Sequence, residues 1–159
     1  MLELLLQQVL NMYNIGVGYN AGGSMTTGTY NTLIGGQAGD ALTTGARNVA
    51  IGFNALTTED GDGRNVAVGY EALKTQNAGA DAYNVAVGYQ AGLDLTSGIK
   101  SVFIGGLAGD AITTGSANVA IGYSALSTED TMGNNVAIGY KALQDLNAGE
   151  NGNTVAIGA

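Results

Sequence analysis

Asn118-Val119-Ala120-Ile121-Gly122-Tyr123-Ser124-Ala125-Leu126 is the stretch whose reading decides the fold, because the chain writes it nine times with small variations. The copies centre on Gly18, Gly35, Gly52, Gly69, Gly88, Gly105, Gly122, Gly139 and Gly158, at spacings of 17, 17, 17 and 19 residues given twice over. A fixed period of this size marks a repeat architecture in which each unit packs only on its neighbours, so the chain builds a rod.

Val49 and Ile51, and their equivalents in the other copies, stand at alternate positions and define one face of a short strand. The residue between them is Ala50, Ala67, Ala86, Ala120, Ala137 or Ala156, so the opposite face is apolar too, but small. Strands covered on both faces lose their polar alternation. On this reading the Val and Ile positions fill the inside of a coil. The alanine series then faces outward, close against the backbone of a partner chain. Turn residues separate the strands: Thr-Thr-Gly at 43–45 and 113–115, Asp-Gly-Asp-Gly at 60–63, and Asn-Ala-Gly at 77–79 and 147–149. Seventeen residues are too few for two helices, and Gly with β-branched residues opposes helix. The expected fold is all-β, a parallel β-solenoid of about nine coils. Coils stacked about 4.8 Å apart make a rod about 40 Å long.

The rod has internal structure. Setting residues 14–83 on 84–153 without gaps matches 39 of 70 positions, which points to duplication of a four-coil block. Residues 154–159 begin a ninth coil, and its open strand edge is expected to be covered, either by a following segment or by the next protomer of a filament. Residues 1–13 read as helical, with Leu2, Leu5, Val9 and Met12 spaced as a heptad seam. Their expected role is an N-terminal cap or an oligomerising segment. They lack the basic start and small-residue cleavage site of a signal peptide.

Composition narrows the function classes. The chain has no Cys and no His, which removes thiolate ligands, the commonest general base and the commonest metal ligand. A net charge of −8 with only five basic residues argues against nucleic acid as a partner, because phosphate backbones need clustered cations. No stretch reaches the roughly 20 apolar residues of a membrane-spanning helix. No catalytic residue and no cofactor are expected.

Three sets of residues are candidates for special roles. Asn14, Asn31, Asn48, Asn65, Asn84, Asn118 and Asn135 open successive repeats, with Ser101 and Thr154 as substitutes, and predict a structural ladder of side-chain amides. Aromatic residues follow the repeat glycine at Tyr19, Phe53, Tyr70, Tyr89, Tyr123 and Tyr140, interrupted by Gly36 and Gly106. Their stacking along the rod is expected, and Tyr70, Tyr89, Tyr123 and Tyr140 are the candidate platform for a glycan. Asp60 and Asp62, set between glycines, resemble a fragment of a Ca²⁺-binding loop, but the downstream bidentate glutamate is missing. A solvated turn is the expected role there.

The motif at 118–126 and 135–143 resembles the head repeat of YadA-like trimeric autotransporter adhesins and the related repeats of bacteriophage tail fibres. The likeness spans residues 14–159. It implies a left-handed parallel β-roll, three of which pack side by side about a threefold axis, with the Ala50 series facing inward between chains. The period of 17 and 19 is longer than that of adhesin heads, which lengthens the corners.

The functional expectation is a homotrimeric fibre or adhesin on a virion or cell surface, presenting a surface to host glycans or proteins. An end-to-end filament subunit is the second reading. An ice- or surface-binding solenoid using the Thr-Thr-Gly corners is the third, although those corners, at 26–28, 43–45, 96–98 (Thr-Ser-Gly) and 113–115, are missing from half of the coils.

Overall fold

The computed structural model describes residues 13–128, 131–145 and 152–159. They contain nine strands: β1 (Ile15–Val17), β2 (Thr32–Ile34), β3 (Val49–Ile51), β4 (Val66–Val68), β5 (Val85–Val87), β6 (Val102–Ile104), β7 (Val119–Ile121), β8 (Val136–Ile138) and β9 (Val155–Ile157). All nine lie in one parallel sheet in sequence order. The register never slips: Val49 pairs with Val66, Ala50 with Ala67 and Ile51 with Val68, and so on along the rod. The fold is a β-solenoid of about eight turns, each turn joining one strand to the next. No helix occurs among the described residues. The helical reading of residues 1–13 falls almost wholly outside them, as do Glu129, Asp130 and the turn at 147–149.

The glycine that ends each strand sets how closely coils stack. Gly35 has φ +132°, and a Cβ built there would lie 2.5 Å from the carbonyl oxygen of Gly52. The next coil's glycine therefore stands where any side chain would begin, and the backbone needs a conformation that only glycine adopts freely.

Asparagines lock the other end of each strand. Asn31 N–H donates to Asn14 Oδ1 at 2.8 Å, Asn48 N–H to Asn31 Oδ1 at 2.8 Å and Asn65 N–H to Asn48 Oδ1 at 3.0 Å. The chain of bonds continues through Asn84, Ser101, Asn118 and Asn135 to Thr154 without a break. Each Nδ2 that has an acceptor bonds a carbonyl at the corner of its own coil, as Asn31 does to Gly45 at 2.8 Å. Asn65 and Asn135 precede the two 19-residue coils, and their Nδ2 groups are buried without an acceptor. In the first of these coils the corner turns through the exposed residues Asn77 and Gly79–Asp81. The extra residues carry the acceptor carbonyl away.

The two strand faces lie opposite to the sequence expectation. Ala50, Ala67, Ala86, Ala120 and Ala137 are 0% exposed within a single chain, and Ala156 in the last strand is half-buried. The alanines line the inside of the coil and are no interface. Val49, Ile51 and their equivalents point outward, half-buried or exposed. The reason is volume. The coil closes so tightly that a strand contributes only a methyl group, while Ala55 and Leu56 fill the interior from the opposite wall.

Where a strand breaks this rule, the opposite wall compensates. β2 and β6 carry Leu33 and Phe103 at the inward position, both fully buried. In those coils the place of Leu56 is taken by Gly39 and Gly109. A Cβ at Gly39 would lie 2.8 Å from both Leu33 and Leu42, and one at Gly92 would lie 2.8 Å from Phe103. Large and small residues thus alternate across the interior to keep it filled.

Phe103→Ala should destabilise the rod by about 3–5 kcal/mol, because the ring leaves a cavity between coils. Adding Gly109→Leu, which copies the pattern of the Leu126 coil, should recover a measurable part of that loss. Chemical denaturation of the single and double variants checks both. No recovery in the double variant would show that the two positions do not share one space.

Candidate functional site

The outward face of the sheet is the most distinctive surface. Its 18 outward positions are all Val or Ile except Thr32, so no charge interrupts the strip along its length. Even in the middle of the rod Val87 is 37% and Ile104 is 39% exposed. Soluble monomers seldom leave so continuous an apolar surface open to water.

Two columns of larger residues flank this strip. The leading column holds the residue before each ladder position: Tyr13, Tyr30, Arg47, Arg64, Tyr83 and Lys100, followed by the smaller Ala117, Asn134 and Asn153. Tyr13 and Tyr30 stack with ring centres 5.1 Å apart and planes parallel to within 1°. The Arg47 guanidinium lies over the Tyr30 ring at 5.6 Å, and Arg64 lies over Tyr83 at 5.3 Å while pairing with Asp81. These contacts are cation–π pairs of the usual geometry. Sequence reading missed this column. Its signal was available, since all eight tyrosines of the chain fall in this column or the next one.

The trailing column contains the aromatics that follow the repeat glycine. Phe53 stacks on Tyr70 at 5.7 Å, Tyr70 on Tyr89 at 5.5 Å and Tyr123 on Tyr140 at 5.8 Å. Expected stacking is therefore present, and it changes what the glycan candidates can offer. Tyr70 has a ring on both sides, while Tyr89 and Tyr123 each have one face stacked and Tyr140 carries Lys141 at 5.6 Å. Along the continuous runs the solvent meets ring edges and hydroxyls, while ring faces without a stacked neighbour border Gly36 and Gly106.

The asparagine ladder lies inside the molecule, with Asn31, Asn48, Asn65, Asn84, Asn118 and Asn135 fully buried and Asn14 nearly so. Its groups bond backbone and one another, so its chemistry is that of a corner lock. The threonine corners behave similarly. Thr26 and Thr43 hydroxyls donate at 3.0 Å to the carbonyls of Thr43 and Asp60, and Thr96 donates at 3.0 Å to Thr113. These hydroxyls are turned toward the neighbouring coil's backbone.

The acidic corner is an ordered turn. Asp60 is exposed at its side chain, while its carbonyl accepts bonds from Thr43 N–H at 2.7 Å and Thr43 Oγ1 at 3.0 Å. The Asp62 carbonyl accepts from Asn48 Nδ2 at 3.1 Å. Among the described residues no group of three or more acidic side chains converges as a metal site.

The unforeseen member of this corner is Glu59, which is 0% exposed and stands where neighbouring coils place Leu42, Gln76 and Leu95. One of its oxygens accepts the Asp62 N–H at 3.1 Å, and the other is buried without a partner. Burial, followed by the negative charges of Asp62 and Asp60, pushes its carboxyl up to about 8. A proton held there supplies a donor in a corner where Asp62 Oδ2 is also buried and unpartnered. Glu71 is shifted the opposite way, held below the usual carboxylate range by Lys74 Nζ at 2.7 Å and Gln90 Nε2 at 2.8 Å.

Comparison with protein-family models, with curated proteins and with solved structures finds no match.

The Glu59 shift carries a signed prediction. The folded chain holds this proton to about pH 8 and the unfolded chain releases it near 4.5. The stabilisation is therefore complete below about pH 4.5 and is lost as pH rises from there to about 8. Raising pH through that window should cost on the order of 5 kcal/mol. Glu59→Gln should flatten the dependence and be the more stable form at pH 9. Denaturant midpoints of both proteins from pH 4.5 to 9 check this, and parallel profiles would show that Glu59 is not the titrating group.

Proposed function

We propose that this chain is a structural fibre segment of the adhesin or tail-fibre type, in which copies pack side by side through the Val and Ile strip. The single observation that supports the reading is that strip: apolar along nine strands, half-buried or exposed in one chain and edged by two columns that include stacked aromatics. Between the two flanking columns, from Asn48 to Gly52, the strip is about 13 Å wide and about 40 Å long. The handedness and the trimeric state come from the resemblance to adhesin and tail-fibre repeats and belong to this proposal. In such an assembly the Val and Ile positions take the place first given to the alanines. The surfaces facing away from the axis are left for attachment to host glycans or proteins outside the cell or on a virion. The reading assigns no catalytic step to the chain.

Rigid rods suit this task because each coil repeats the last, so a binding surface is held at a fixed distance from its base. The threonine corners give less support to ice binding, since the hydroxyls named above are engaged with backbone carbonyls.

Light scattering tests the assembly. The expected mass is that of three 15.9 kDa chains. Ile104→Lys, outward in β6, should shift the mass toward one chain while the β-sheet circular dichroism persists, because a charge on this strip is tolerated only in water. A wild-type chain that is monomeric at micromolar concentration would reject side-by-side packing. Adsorption of labelled protein to a panel of bacterial and animal cells tests attachment separately, and adsorption to none would reject that half of the reading.

A further inference from the structure

The trailing aromatic column is interrupted twice, at Gly36 and Gly106, at the same place in each four-coil block. Nothing in the backbone demands glycine at either position. Both lie outside the left-handed region, unlike Gly35 and Gly105 beside them. A Cβ at Gly106 would meet Tyr123 Cδ2 at 3.5 Å, an ordinary contact, and one at Gly36 would meet a pivoting ring edge of Phe53 at 3.2 Å. A tyrosine in either rung would extend the stack and add its stabilisation. The chain forgoes it in both blocks, although the blocks differ at 31 of 70 positions, the complement of the 39 that match.

Each missing rung leaves a slot. Tyr19 and Phe53 flank the first, Tyr89 and Tyr123 the second, each pair two coils apart or about 9.6 Å. The ring faces turned into these slots meet no other ring, whereas elsewhere in the column rings stand 5.5–5.8 Å apart. Residues bracketing the gaps are Ile34 and Gln37 in one case, Ile104 and Leu107 in the other, so neither slot carries charge at its base.

We propose that the two slots are binding sites for neutral pyranose rings, each ring sandwiched between the facing aromatics in place of the missing rung. This rests on the attachment reading above and names the ligand class. A pyranose with equatorial hydroxyls presents C–H groups on both faces, which suits a two-sided aromatic slot. Its chair is thicker than a flat ring, and each half-gap of about 4.8 Å exceeds the separation that stacked planar rings prefer. Tyrosine hydroxyls at the slot mouths are placed for the sugar's equatorial oxygens. Four coils, about 19 Å, separate the two slots. A β-linked oligomer extends within the plane of its rings, so each slot takes its own chain, which leaves the rod sideways.

Cellohexaose, a neutral β-linked glucose oligomer, is the probe. Saturation-transfer NMR should show contact at the axial ring protons of both faces, with a Kd from calorimetry. Gly36→Tyr combined with Gly106→Tyr fills both rungs and should weaken binding about thirtyfold while raising the melting temperature. Tyr123→Leu, which opens one wall and leaves the glycines alone, should weaken binding at the second slot with the fold retained. Absence of cellohexaose binding by the wild-type chain would overturn the proposal, as would unchanged binding in the doubly filled variant. Displacement of the sugar by an equal concentration of N-acetyltyrosinamide would show that the slots take aromatic side chains, and would overturn it. A fall in melting temperature of the filled variant would show that a second copy already occupies the slots, and would overturn it as well. Cell adsorption that survives in the filled variant would leave the attachment reading standing and remove only the slots.

Discussion

Everything in this molecule depends on the unslipped vertical register between coils. Each strand is only three residues long, too short to hold its partner by backbone bonds alone. Register is held at both strand ends by devices repeated on every coil. The asparagine ladder ties the start of each strand to the coil before it, and the strand-ending glycine lets the next coil close to contact distance. Once coils cannot slide, like residues must stack on like. The tyrosine columns, the alanine interior and the Val and Ile strip are all consequences of that one constraint.

The same constraint explains where the structure carries strain. The first 19-residue coil keeps register at its strands but displaces a corner, and the cost appears as the unpaired amide of Asn65. Glu59 is a second local cost, a carboxyl standing in a column that places Met25, Leu42, Gln76, Leu95 and Ile112 in other coils. Its neutral form is the one the interior accepts, since burial disfavours the charged form. Glu59 and Asn65 lie in the first block's third and fourth coils, where the interior has exchanged the Leu33 pattern for the Leu56 pattern.

Much of the fold was legible in the sequence because repetition amplifies weak signals. A single Val-Ala-Ile-Gly says little, but nine copies at a fixed period specify a stacked parallel sheet. The asparagine ladder and the tyrosine stacking followed from the same argument. The leading column of Tyr30, Arg47 and Arg64 was missed, because its residue type changes from coil to coil and its one sequence signal is that every tyrosine falls in it or in the trailing column. Glu59 was also hidden. In sequence it sits beside Asp60 in an acidic run and reads as solvated, whereas the coil turns one carboxyl inward and its neighbour outward.

The sequence by itself determined the period, the parallel stacking and the existence of two apolar strand faces, because a two-residue alternation is a local property of an extended chain. It did not determine which face is inside. Alternation is symmetric under exchange of its two sets, and larger residues are ordinarily assigned to the core. Only closure of the coil decided the matter. Its interior is filled from the far wall by residues such as Leu56 and Leu73, leaving room for no more than a methyl group from most strands. The alanines went in, the valines and isoleucines went out, and the surface available to partners was set by the volume left inside.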